Sequence, residues 1–192
     1  MGVENEIVVA DTRDVYADMC AKWFGNPADS LKLIGITGTN GKTSITYMIK
    51  SILESAGHKV GLIGTIHNMI GDEIIETKNT TPGVYELNRL FALMKEKGCD
   101  YAVMEVSSHA LDQCRVYNLD FEVAMFTNLT QDHLDYHKTF DAYRDAKKAF
   151  FDNLGKKAFA ITNADDKNGA VMVQNCKATV RTYSTRSAAD LK

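Results

Sequence analysis

A chain of 192 residues, 45% hydrophobic and 24% charged, has an ordinary globular composition and enough length for one sizeable core, which argues against disorder. A net charge of −3 and the absence of any Lys/Arg run longer than two argue against a nucleic-acid surface as its main task. Four cysteines without a C-x-x-C pair favour neither a zinc knuckle nor a disulfide framework, and no apolar run nears the roughly 18 residues of a membrane span, so a reduced, cytoplasmic setting without membrane contact is expected.

Residues 1–30 read apart from the rest. The apolar run EIVVA is followed by VYADMCAKWFGNP, a small helix ended by Gly25 and Pro27, as in the tail of a preceding domain plus a linker. From Leu31 onward short apolar runs alternate with amphipathic segments. Strands are expected at 31–37, 59–64, 100–106, 121–127, 157–162 and 179–184. Helices are expected over 42–56, where Ile45, Met48, Ile49, Ile52, Leu53 and Ala56 share a face and Gly57 stops the run, and over 84–97, with Leu87, Leu90, Phe91 and Met94 before Gly98. A Gly-Asp pair inside HNMIGDEIIE (67–76) predicts a hairpin. The expected fold class is α/β, a mostly parallel sheet flanked by helices in three layers.

The stretch GITGTNGKTS (35–44) joins the first strand to the first helix. Its glycines let backbone N–H groups face phosphate, the helix N-terminus adds its dipole, Lys42 brings a charge and Thr43 a Mg²⁺ ligand. The generic phosphate-loop pattern would need glycine at position 36; here the first glycine is Gly35. Gly38, Thr39, Asn40, Gly41, Lys42, Thr43 and Ser44 are therefore the candidate nucleotide-binding residues. A chance Gly-Lys-Thr in a glycine-rich turn is the bland alternative.

Further along, Glu105 ends an apolar strand, where ligands of parallel sheets collect, although a Glu there can equally emerge into solvent. His133 and His137 lie four apart without a third soft ligand. A third helix, DAYRDAKKAFF (141–151), puts Phe140, Tyr143, Lys147, Phe150 and Phe151 on one stripe and Arg144, Lys148 and Asp152 on another. Lys147 thus faces the core and Lys148 faces water. Either Lys147 snorkels, with its ammonium in water, or its charged form is disfavoured and its amine is neutral and nucleophilic.

GTNGKT, NTTPG (79–83), EVSSHALDQCR (105–115), TNLTQDHLDYH (127–137) and DAKKAFF, in that order over about 120 residues, resemble the Mur ligases of peptidoglycan synthesis. NTTPG and EVSSHALDQCR are similar to the branch adding the third residue to the UDP-muramoyl peptide, and differ from the related folylpolyglutamate synthases. The resemblance implies an ATP- and Mg²⁺-dependent ligase. It would join meso-diaminopimelate or L-lysine to UDP-N-acetylmuramoyl-L-alanyl-D-glutamate through an acyl phosphate. It further implies three domains, of which 1–30 would be the tail of the first and 31–192 an incomplete central ATP-binding domain. The amino-acid-selecting domain and a later His-Asn segment for adenine would lie outside this chain, which alone is expected not to catalyse ligation. A related P-loop ligase, or a nucleotide-binding fragment without turnover, is the alternative.

By the same resemblance Lys42 holds phosphates, Thr43 and Glu105 ligate one Mg²⁺, and His133 a second. Lys147 would be carbamylated, its carbamate bridging the ions. Asn79, Thr80, Thr81, Ser107, Gln113 and Arg115 would contact the UDP-muramoyl dipeptide. From the residues alone, Thr81 and Ser107 read as helix caps.

Overall fold

A computed structural model describes residues 6–191. Helix α1 (Thr12–Trp23) is capped by Asp11, whose carboxylate accepts the Arg13 amide, and a 3-10 turn (Pro27–Ser30) leads into β1 (Lys32–Thr37). There follow α2 (Lys42–Ser55), β2 (Val60–Ile63), β3 (Asn68–Ile70), β4 (Glu73–Ile75), α3 (Val84–Glu96), β5 (Tyr101–Glu105) and α4 (Ser108–Asp112). The chain continues through β6 (Phe121–Phe126), α5 (Leu134–His137), α6 (Phe140–Asp152), β7 (Phe159–Asn163), α7 (Gly169–Met172) and β8 (Thr179–Tyr183).

The strands form one sheet in the order β4-β3-β2-β5-β1-β6-β7-β8. The pairings β2-β5, β5-β1, β1-β6, β6-β7 and β7-β8 are parallel; at one edge the expected hairpin of β3 with β4, turning at Gly71 and Asp72, is antiparallel, and so is the pairing of β3 onto β2. Helices cover both faces, giving the three layers. On one face Ile34, Ile36, Val60 and Val103 pack against Ile45, Ile49 and Leu53 of α2. On the other a larger core joins Leu87, Leu90, Phe91 and Met94 of α3 to Phe150 and Phe151 of α6. Each of those four α3 side chains is fully buried, contributing about 1.5–3 kcal/mol apiece. Gly35, in mid-strand, admits α6 to the sheet: a Cβ there would lie 2.6 Å from the Phe150 ring.

Two expectations about faces need correction. Met48 and Ile52 of α2 point outward, 62% and 67% exposed, while Thr46 and Lys50 are buried. Thr46 turns its hydroxyl back to the Thr43 carbonyl and Lys50 pairs with Glu54, so both polar heads are satisfied under cover. Lys148 does not simply face water either; its ammonium pairs with Asp152 one turn on, leaving the side chain 13% exposed. Of the first residues, Ile7 and Val8 form no strand and are exposed, whereas Ala17 and Cys20 of α1 pack on Val84 of α3.

What this topology positions is a crevice. Strand β1 lies between β5 and β6, so the connections leaving β1 and β5 diverge across it, and the carboxyl ends of β1, β5 and β6 meet at the switch point where ligands bind in open α/β sheets.

Candidate nucleotide and substrate site

The loop after β1 turns on two left-handed glycines. Gly38 has φ 142 and Gly41, the N-cap of α2, has φ 87. At Gly38 a side chain has no room, because its Cβ would overlap Thr127 Oγ1. The loop is braced from the end of β6: the Thr39 amide donates to Asn128 O (2.8 Å), the Asn40 amide to Asn128 Oδ1 (3.0 Å), and Thr127 Oγ1 donates to Asn40 O (2.7 Å). Two amides of the loop are therefore already spent. The donors left for phosphate are those of the first turn of α2, from Gly41 to Ser44, which have no intrahelical acceptor and sit at the positive end of the helix. Lys42 folds back over the loop and donates to Gly38 O (2.9 Å) and Thr39 O (2.8 Å). Burial pushes its pKa down, against the opposing pull of Glu105 and Asp132.

Glu105 does not emerge into solvent. It is 1% exposed, and its carboxylate accepts the Thr43 hydroxyl at 3.0 Å to each oxygen, the Thr65 amide (2.8 Å) and the Thr65 hydroxyl (3.1 Å). No cation lies within ion-pair distance of it among the described residues. A buried carboxyl group held only by neutral donors favours a cation beside it, and hydroxyl and carboxylate are the hard oxygen ligands Mg²⁺ takes. Thr43 and Glu105 thus fit a divalent ion. The described residues hold no group of three His, Cys, Asp or Glu suited to a metal, so the remaining ligands would be phosphate oxygens, water or a modified Lys147.

Lys147 is 1% exposed, as its stripe predicted. Its Nζ donates to the same carbonyl that Lys42 uses, Gly38 O (3.1 Å), and lies 4.6 Å from the Tyr143 ring centroid. Burial, with Lys42 close by, pushes its pKa from the usual 10.5 down to about 7, with Asp132 opposing. Snorkelling is overturned: the amine is under cover. Tyr143, also 1% exposed, exchanges a hydrogen bond with Thr39 Oγ1 (3.1 Å) and so ties α6 to the loop.

His133 lies beside Tyr143 of α6. It is exposed, at φ 53, with its ring against His109 and Tyr143 at 5.0 and 6.0 Å. His137 is buried, with Nε2 2.9 Å from Ser108 Oγ. Burial and the neighbouring His109 lower its pKa.

The other expected residues lie in the loop before α3 and around α4. Ser107 does cap α4, accepting the Ala110 amide (3.2 Å). Thr81 caps nothing: the N-cap of α3 is Gly83, and Thr81 Oγ1 instead donates to Glu105 O (2.8 Å) and accepts the Ser107 amide (3.0 Å). Thr80 Oγ1 lies 3.0 Å from Thr65 Oγ1, whose own proton goes to Glu105. Arg115 donates to Thr81 O (2.7 Å) and to Gln113 Oε1. Asn79 lines a cavity of about 380 Å³ with Asn68, Glu76 and Pro82. Ser44 is exposed on the first turn of α2. Thr65, Asn128 and Tyr143 were missed as site residues. Thr65 and Asn128 both follow parallel strands that flank the crevice, a position that marks them without any motif.

Residues 36–192 match the family model of the Mur ligase middle domain. The chain belongs to the Mur ligase family. Among curated Mur ligases it is 53% identical over 186 residues to the UDP-N-acetylmuramoyl-L-alanyl-D-glutamate--2,6-diaminopimelate ligase of Phocaeicola vulgatus, covering 97% of this chain and 38% of that one. The enzyme of the same name from Caldanaerobacter subterraneus is 49% identical over 183 residues, covering 95% and 38%. A solved structure of a 2,6-diaminopimelate ligase superposes with TM-score 0.86 at 33% identity over 98% of this chain and 40% of that chain. The folylpolyglutamate synthase of Mycobacterium tuberculosis, solved with ADP and AMPPCP, shares the fold at TM-score 0.70 and 17% identity, over 88% of this chain and 46% of that one. This Mur ligase chain thus spans about two fifths of the length of the curated relatives it matches.

Proposed function

We propose that this chain is the ATP-binding part of a ligase that adds 2,6-diaminopimelate to UDP-N-acetylmuramoyl-L-alanyl-D-glutamate in the cytoplasm. Residues 1–30 would be the tail of a UDP-binding domain and 31–192 an incomplete central domain, with amino-acid selection outside the chain. The observation that carries the reading is the meeting of the phosphate loop, Glu105 and Lys147 at the carboxyl ends of β1 and β5, in a chain about half identical to ligases of that name.

ATP phosphates bind the first-turn amides of α2 from Gly41 to Ser44, and Lys42 exchanges its two loop carbonyls for phosphate oxygens. The terminal carboxylate of the dipeptide attacks the γ-phosphorus and ADP leaves. The amine of diaminopimelate then attacks the acyl phosphate, and phosphate departs as the amide forms. Both steps crowd negative charge, which Lys42 and the helix dipole offset. Mg²⁺, when bound, supplies further positive charge there, held by Thr43 and Glu105, with a second ion assigned to His133. Lys147, its neutral amine well populated near pH 7, captures CO₂: the nitrogen lone pair forms the C–N bond as one C=O π pair moves onto oxygen, one proton leaves to solvent, and the side chain becomes a carbamate anion able to ligate Mg²⁺. Asn79, Thr80, Thr81, Ser107, Gln113 and Arg115 hold the dipeptide substrate.

In the complete polypeptide, ATP, Mg²⁺, the UDP-muramoyl dipeptide and 2,6-diaminopimelate yield tripeptide and phosphate; release of no phosphate with any amino acid refutes the assignment. The 192-residue chain by itself forms none, and measurable tripeptide from it would refute the view that amino-acid selection lies elsewhere.

A further inference from the structure

We propose that Asp112 and Tyr136, to which no role falls in the reading above, are positioning residues that aim Arg115 at an oxyanion of the bound substrate. The inference rests on the proposal that Gln113 and Arg115 face that acidic substrate. Four side chains form one line of hydrogen bonds. The Tyr136 hydroxyl donates to Asp112 Oδ2 (2.6 Å) and accepts from Gln113 Nε2 (3.1 Å); Gln113 Oε1 accepts from Arg115 Nε (3.0 Å) and Nη2 (2.6 Å).

The direction of this line is forced by its ends. A carboxylate only accepts and a guanidinium only donates. The phenol must give its proton to Asp112, which leaves an oxygen lone pair for the Gln113 amide nitrogen, and the amide oxygen must then face Arg115. A reversed Gln113 would set its NH₂ against the guanidinium, donor against donor. Arg115 is pinned at a third point, Nη1 donating to Thr81 O (2.7 Å). Of its five N–H groups, three are used, one on each nitrogen. One N–H remains on each terminal nitrogen, a pair that suits the two oxygens of a carboxylate or phosphate.

The line also joins two separate sequence motifs. Gln113 and Arg115 leave the end of α4, while Tyr136 arrives on α5, 23 residues after Gln113. The His109 ring tilts against that of Tyr136 at 4.2 Å and holds the phenol in place. Without the Tyr136 hydroxyl, Gln113 loses its second anchor and is held in place by Arg115 alone.

Tyr136→Phe keeps the ring against His109 and removes only the hydroxyl. In the free chain, solvent exchange of the Arg115 Nε–H, followed by ¹⁵N NMR, should become about tenfold faster, as expected for one weakened hydrogen bond to a charged group. Unchanged exchange overturns the relay. Asp112→Asn keeps an acceptor and should stay near the parent rate, whereas Asp112→Ala should match Tyr136→Phe; an Asp112→Ala chain with the parent rate removes Asp112 from the proposal. In the complete ligase, Tyr136→Phe should raise KM for the UDP-linked dipeptide about tenfold and leave KM for ATP unmoved. A parent that turns over beside a variant with unchanged dipeptide KM overturns this inference alone, while a parent that cannot use the dipeptide overturns the substrate reading and the inference with it.

Discussion

Replacing Lys147 by Met should make the protein more stable at pH 6 and progressively less so as the pH rises. The folded-state pKa of Lys147 is about 7, below the usual 10.5 that the unfolded chain restores. Below pH 7 the lysine is protonated in both states and folding bears the whole cost of burying the charge, about 5 kcal/mol for that difference in pKa. Between pH 7 and 10.5 the unfolded chain binds the extra proton, so parental stability climbs with pH. From pH 6 to 9.5 the climb amounts to about 3 kcal/mol. Methionine fills a similar volume without the charge, so the Met variant lacks this component, and its advantage shrinks by that same amount over the window. Titrating groups remote from Lys147 are shared and cancel in the difference. Urea unfolding in carbonate-free buffer reads it directly: with a slope near ~2 kcal/mol/M, the gap between the two midpoints narrows by about 1.5 M from pH 6 to 9.5. A gap independent of pH, or a Met variant less stable than the parent at pH 6, would refute the reasoning that Lys147 is held under cover against its charge.

Three other changes test the site. Gly38→Ala puts a Cβ into Thr127 Oγ1 at φ 142, so it should cost more than about 2 kcal/mol in urea unfolding and abolish triphosphate binding; parental stability would show that the loop relaxes freely. Glu105→Gln retains oxygen and shape but not charge, and should lose Mn²⁺ binding by calorimetry while costing no more than about 2 kcal/mol of stability; undiminished Mn²⁺ affinity would move the metal elsewhere. Tyr143→Phe deletes one side of the bond to Thr39 Oγ1 and should cost about 1 kcal/mol; Thr39→Val also removes the hydroxyl that bonds the Thr130 amide and carbonyl, so it should cost more, and the double variant little more than Thr39→Val alone, whereas fully additive costs would mean the two groups act independently.

The sheet and the loop were legible because each rests on local chemistry. Apolar runs bounded by Gly57 and Gly98 mark strands and helix ends, and glycines at 38 and 41 serve a turn that other residues adopt only with strain. The Lys147 stripe was legible for the same reason: Phe150 and Phe151 on its face could only point inward. Failures came where tertiary contacts overrode local pattern. Met48 and Ile52 share a helical face with Ile45 and Ile49, yet the sheet takes only one part of α2, and Thr46 and Lys50 are covered because each finds a polar partner within its own helix. Thr81 precedes a proline and a helix, the pattern of a cap, but Glu105 O lies within reach of its hydroxyl and wins. The bracing of Thr39 and Asn40 by Asn128 joins positions 88 residues apart or more, a separation that no periodicity reports.

Gly38 O, which receives both Lys42 and Lys147, carries a thermodynamic consequence. The two ammonium groups disfavour each other, so whatever draws negative charge to one alters the other. A phosphate settling by Lys42 raises the basicity of Lys147 and so opposes its capture of CO₂; by linkage, a carbamate at Lys147 weakens phosphate binding by the same factor. On the proposed carbamylation of Lys147, nucleotide and CO₂ would therefore be antagonists at this carbonyl. A cation held between the two anions would reverse the sign of that coupling, and the share of protein ready to react would then follow the three concentrations, whatever the order of arrival.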